Sequence, residues 1–193
     1  MEGLPTYRFG FYGKIPVLGD FVTREVQRPL QVQLDTWLQS GLLALQGQRA
    51  DWLEAYLVTP VWQFLLPPGI CGEQACAGLL MPSVDRVGRY FPLLAWAELP
   101  GEVALRPLCQ QLSALAGRLP EVLQQGLQPE QILELLAAEP PQDHAVLPTA
   151  LDSFDWQGSR SFWWAKTRAD LPFRQVSHRG ALDDDLAVLL FGG

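Results

Sequence analysis

Lysine is nearly missing from this chain. Only Lys14 and Lys166 carry an ammonium group, and the 14 lysines and arginines together face 21 acidic side chains, for a net charge of −7. A broad nucleic-acid surface needs clustered Lys and Arg, so that class of partner is excluded. An anionic membrane surface would repel such a chain. Cysteine is scarce and odd in number: Cys71, Cys76 and Cys109 fit neither a CxxC zinc half-site nor a thioredoxin-like motif. They read as buried free thiols of a reducing compartment. Histidine is limited to His144 and His178, too few and too separated to organise a metal centre with the scattered carboxylates. No run approaches the roughly 20 apolar residues of a membrane span. Residues 1–20 hold Glu2, Arg8, Lys14 and Asp20 and no long apolar stretch, so the sequence predicts no signal peptide and a cytoplasmic chain without membrane insertion.

What is present is a core. Hydrophobic residues make up 48% of the chain and include seven tryptophans, which excludes disorder. At 193 residues the chain reads as a single domain over 1–193. A chain this long buries roughly 70% of its unfolded surface and needs no disulfide or metal staple.

The aromatic-rich stretch from Tyr7 to Tyr12 predicts a first strand, and Gly13 to Asp20 a Gly/Pro loop. Pro29 is placed to open a helix, along which Leu30, Leu34, Trp37, Leu38, Leu42 and Leu45 recur on one face. Asp51 begins a short second helix. Strands are expected at 61–66, 75–81 and 90–98. Leucines 105, 108, 112, 115 and 119 mark a further helix, and Pro120 and Pro129 each start a short one. Pro140-Pro141 ends the last of these. Residues 140–159 read as a long loop, which in a compact domain is either functional or a wrap across the surface. Strands at 161–165 and 173–177 and a final helix at 183–190 complete the chain. Strands and helices do not alternate regularly, so an all-parallel doubly wound sheet is disfavoured. A mixed or antiparallel sheet with helices on both faces is expected. Trp163 and Trp164, adjacent on a strand, should point to opposite faces.

The segment Met-Pro-Ser-Val-Asp-Arg-Val-Gly-Arg-Tyr-Phe-Pro, residues 81–92, concentrates the polar chemistry. Ser83, Asp85, Arg86 and Arg89 crowd between two apolar runs. A connection that only had to turn could be shorter and richer in Gly or Asn. Asp85 can brace the loop by pairing with Arg86, Arg89 or Arg24, since a guanidinium fork holds a carboxylate with two hydrogen bonds. The same residues can instead face a protein partner, because Arg and aromatic side chains anchor interfaces. Asp20 and Arg24, in a second short polar loop, are expected to join Ser83, Asp85 and Arg86 in one cluster.

Two other chemistries can be set against this. Gly10-Phe11-Tyr12-Gly13-Lys14 is not a P-loop: the glycines are too close and Ile15 stands where a hydroxyl must meet magnesium. No cofactor is expected. A Ser83, Asp85 and His178 or His144 triad can be assembled on paper, but Ser83 lies in Met-Pro-Ser-Val-Asp and not in a GxSxG elbow.

The order of motifs carries one further reading. GFYGKIPVLGDFVTR at 10–24, the Trp37 helix, YLVTPVWQFLLPPGICG at 56–72, GLLMPSVDRVGRYFPL at 78–93 and SFWW at 161–164 resemble the ImpM/TagF family of type VI secretion-associated proteins. The resemblance implies a three-layer α/β/α sandwich and a cytoplasmic, non-enzymatic accessory protein of a Gram-negative bacterium. It implies post-translational negative regulation through the forkhead-associated scaffold protein of the apparatus, as a stand-alone domain without the phosphatase module that some relatives carry. Asp20, Arg24, Ser83, Asp85, Arg86 and Arg89 are then the signature cluster, or the partner-binding one. A small serine hydrolase centred on Ser83, and an adaptor of a switch protein that binds no nucleotide itself, are the alternatives from other classes.

Overall fold

A computed structural model describes residues 7–101, 103–139 and 145–193. Seven strands form one sheet: β1 Gly10–Gly13, β2 Val22–Arg24, β3 Trp62–Leu66, β4 Cys76–Met81, β5 Leu93–Glu98, β6 Arg160–Ala165 and β7 Arg174–Arg179. Their order across the sheet is β2-β1-β5-β4-β3-β6-β7. All six pairings are antiparallel, so of the mixed, largely antiparallel sheet expected, the antiparallel character is present throughout and no parallel pair joins it. The reason lies in the connections. Short links join β1 to β2, β3 to β4, β4 to β5 and β6 to β7 as neighbours, and only antiparallel strands can be joined so briefly. Five of the six α-helices among the described residues are spent on two long excursions, β2 to β3 and β5 to β6, and neither excursion connects two paired strands.

The first excursion holds α1 Arg28–Gln48 and α2 Trp52–Leu57; the second holds α3 Leu105–Arg118, α4 Glu121–Gln125, α5 Pro129–Ala137 and a 3-10 turn, Thr149–Ser153; α6 Asp184–Phe191 follows β7. Pro29 sits in the first turn of α1, where its missing N–H leaves no helical bond unmade. Asp183 caps α6, its carboxylate accepting from Leu186 N at 2.9 Å.

Alternation along the strands supplies two separate cores. On β4, Ala77, Leu79 and Met81 join Leu108, Leu112, Leu115, Ile132 and Leu136 from α3 and α5. Cys76 and Leu80 join Leu34, Trp37, Leu38, Leu42, Leu186 and Leu190 from α1 and α6. Trp164 is buried in the first core and Trp163 in the second. The thiols divide in the same way: Cys109 lies in the first core, Cys71 and Cys76 in the second, and all three are free and buried. Burial pushes Cys71 and Cys109 each up to about 12.

Strand β2 is missing from the sequence reading. Three residues are too few to show an alternation, and the strand exists through its pairing of Val22, Thr23 and Arg24 with Gly13, Tyr12 and Phe11. The expected start of the 140–159 loop, including Pro140-Pro141 and His144, lies outside the described residues; its later part contains the 3-10 turn.

Candidate functional site

Asp85 organises the 81–92 loop. Its side chain is fully buried and receives four donors. Oδ1 accepts from the backbone N–H of Val87 at 3.0 Å and of Arg89 at 2.9 Å. Oδ2 accepts from Arg89 Nε at 2.7 Å and pairs with Lys14 Nζ at 3.1 Å. Gly88, in the left-handed region at φ 89°, closes the turn by donating to Asp85 O at 3.1 Å. Burial alone would raise the Asp85 carboxyl pKa; the backbone N–H groups, Lys14 and the Arg89 guanidinium outweigh it and hold the carboxyl well below the usual carboxylate range.

Lys14 reaches this position because β1 ends against Pro92. A Cβ on Gly13 would lie 2.0 Å from Pro92 O, and Gly13 has φ 140°. Only glycine allows so close a passage there. The Lys14 ammonium also lies 4.9 Å from the centre of the Phe21 ring, within cation–π range. Phe21 stacks on Tyr12 at 5.8 Å and meets Phe91 edge-on at 4.9 Å.

Ser83 is a structural joint. Its Oγ donates to Lys14 O at 2.6 Å. Its backbone N–H and C=O both engage the Tyr56 hydroxyl, each at 2.9 Å, so the tip of α2 clasps the loop. Two more bonds tie the loop to the segment before β2: Arg86 N donates to Leu18 O at 2.9 Å, and the Arg89 guanidinium donates to Gly19 O.

The two polar loops therefore meet, but they do not collect every residue expected there. Asp85 pairs with Arg89 and Lys14, and not with Arg86 or Arg24. Arg24 turns to α5 instead, with its guanidinium 3.4 Å from Glu130 Oε1. Asp20 is exposed and accepts from Phe21 N within its own loop. Arg86 is exposed, lies over Gly19, and has no acidic partner among the described residues. Lys14, Tyr56 and Phe21 were absent from the expected cluster. The Lys14 signal was available: a lone lysine beside a predicted strand end in a chain with almost none. Tyr56 carried no local signal, because its role is set by the docking of α2.

Buried charge and exposed apolar surface adjoin in this region. Phe21 is 41% exposed, Val87 66% and Tyr90 38%; Val87 follows Arg86 directly, and Phe21 and Tyr90 belong to the same two loops. No histidine approaches Ser83 among the described residues: His178 is on β7, hydrogen-bonded to Ala181 O at 3.1 Å and 3.4 Å from Asp183. No group of metal-ligating side chains occurs among the described residues. A cavity of about 900 Å³ touches the start of the loop at Met81 and Pro82 and extends along Val58, Ser113, Leu123, Lys166 and Phe173, but takes in none of the six expected site residues.

The match that decides the family spans this region. Residues 10–139 match the TagF N-terminal domain, type VI secretion system-associated. The chain belongs to the TagF N-terminal domain family. The match contains Lys14, Phe21, Tyr56 and the whole 81–92 loop. Among solved structures, this TagF-type chain is similar to the crystal structure of PA0076 from Pseudomonas aeruginosa PAO1. The two are 31% identical with a TM-score of 0.74, over 96% of this chain and 94% of that one. No curated protein matches the chain. It is thus a type VI secretion-associated protein, and no helix among its described residues is long and apolar enough to cross a membrane.

Proposed function

We propose that this TagF-type chain is a cytoplasmic, non-enzymatic accessory protein that restrains a type VI secretion system after translation, by binding the forkhead-associated scaffold protein of the apparatus. One observation carries the reading. Lys14 and Asp85 are paired and buried, Arg89 closes that pair from the surface, and the same two loops present Phe21, Arg86, Val87 and Tyr90 to solvent. Aromatic and Arg side chains on a rigid support are what an interface anchor requires. The two cores support the three-layer α/β/α sandwich that goes with this reading, α1 and α6 over one face and α3 and α5 over the other. The arrangement of Ser83 speaks against a hydrolase. Its hydroxyl is committed to Lys14 O, and a nucleophile needs a base within reach.

Arg86→Glu tests the reading. A central Arg anchor contributes more than about 2 kcal/mol, so affinity for the purified forkhead-associated scaffold should fall at least about thirtyfold. Folding stability should move by no more than about 0.5 kcal/mol, as at an exposed surface site. Calorimetric titration and thermal melting on one preparation give both numbers. Undiminished binding by the folded variant removes this patch from the interface.

A further inference from the structure

The last two strands reverse the charge of the rest of the chain. Residues 160–179 carry five cationic side chains, Arg160, Lys166, Arg168, Arg174 and Arg179, against one acid, Asp170. This stretch is net +4 in a chain of −7, which leaves the remaining residues at −11. Three of the five cations have partners nearby: Arg168 pairs with Asp170 at 2.8 Å, Lys166 lies over Phe173, and Arg174 lies over Trp62. Arg160 and Arg179 are exposed and have no acidic partner among the described residues.

These two arginines are also set directly opposite each other, Arg160 on β6 and Arg179 on β7. Gly180 N donates to Ser159 O at 2.9 Å. That bond fixes the phase of the ladder. Residues 174, 176 and 178 turn their backbone groups toward β6, and 175, 177 and 179 turn theirs outward. Arg160 and Arg179 thus form a non-hydrogen-bonded pair, the kind whose side chains stand closest. Like charges so placed are destabilising, and the fold keeps them. Beside them a cavity of about 520 Å³ opens between the hairpin and residues 150–159, edged by Ser153, Ser159 and Ser177 and by Asp155.

β7 is the last strand of the sheet, six residues long, and among the described residues nothing pairs with its outer side. We infer that the free edge of β7 is a docking site for an extended acidic segment of a partner protein, added as an eighth strand with its carboxylates against Arg160 and Arg179. The outward N–H and C=O groups of Gln175, Ser177 and Arg179 supply the backbone pairing. The two guanidinium groups supply the selection, since paired arginines grip carboxylates with two parallel hydrogen bonds each. This surface is distinct from the Phe21–Arg86 patch, whose supporting loop is tied to the segment before β2, the strand at the other edge.

The test uses a capped eight-residue peptide of alternating Glu and Val, its Gln-for-Glu counterpart, and the whole chain. The expected result has four parts. The Glu peptide binds at least about tenfold tighter than the Gln peptide. It slows amide hydrogen exchange at Gln175, Ser177 and Arg179. It weakens as salt rises. An Arg160→Glu/Arg179→Glu chain, shown folded by thermal melting, no longer binds it. Equal binding of the two peptides, protection confined to other strands, or retained binding by the double variant overturns the proposal. So does a wild-type chain that ignores the peptide while the double variant self-associates in sedimentation: the arginines would then only keep copies of the edge apart. A wild-type chain whose edge is already covered by a second copy in sedimentation also overturns it.

Discussion

Arginine is used in opposite ways at the 81–92 loop and at the β6–β7 edge. In the loop, Arg89 folds its guanidinium onto a fully buried carboxylate that Lys14 also meets, and every polar atom of Asp85 is engaged. At the edge, Arg160 and Arg179 face each other in solvent, and neither makes an ion pair among the described residues. A buried charge must be answered from within, or the fold does not form. An exposed one need not be, and where it is left beside its like, its free energy is available to a partner. The loop's buried charges thus belong to architecture, while the edge arginines and Arg86 are the cations that the two proposals above assign to recognition.

The comparison can be broken first at Lys14. Lys14→Met leaves Asp85 buried with half of its cationic support. Removing one member of a buried pair costs about 3–5 kcal/mol. Arg89 remains, so the lower end is expected, a fall of about 6–12 °C in melting temperature for a chain of this size. A loss below about 1 kcal/mol would show that the pair is not a support.

Acid comes next. Folding depresses the Asp85 pKa. The stabilisation is therefore complete above the unfolded carboxyl value, about 3.9, and is lost as pH falls through that value toward the lower folded one. Denaturant melts between pH 6 and 2 should show wild-type stability falling below about pH 4. Asp85→Asn, less stable at pH 6, should show a shallower decline. Parallel declines would assign the acid sensitivity to other carboxylates.

Tyr56→Phe is a smaller break on the same side. It leaves the Ser83 amide without its acceptor in a buried place, at a cost of about 1–3 kcal/mol, measurable in urea. The smallest effect carries the opposite sign. Arg179→Thr relieves the like-charge pair and should stabilise the chain by about 0.2–0.5 kcal/mol, with the gain shrinking as salt rises. A loss of stability there would mean that Arg179 already serves the fold.

Much of this contrast was legible in the chain. The runs at 75–81 and 90–98 announced β4 and β5, and the leucine spacing announced α1 and α3, because burial on one or both faces writes a periodic signal. The crowding of charge at 81–92 was equally plain. What was not legible depends on distant partners. Arg24 finds Glu130 across 106 residues, Tyr56 finds Ser83 through the docking of a six-residue helix, and β2 exists only as a neighbour of β1. The edge arginines were visible as letters, but their opposition is a matter of register, and register is decided by the whole sheet.

The division of the three thiols between the two cores gives the molecule a pair of internal clocks. With Cys71 and Cys109 pushed up to about 12, almost no thiolate exists at pH 8, and an alkylating reagent must wait for the protein to open. Modification of Cys109 times the release of α3 from the sheet, and modification of Cys71 and Cys76 times the departure of α1 and α6. If the two clocks run together, the sheet lets go of both helical coverings in one event; if one runs ahead, its side of the molecule breathes alone.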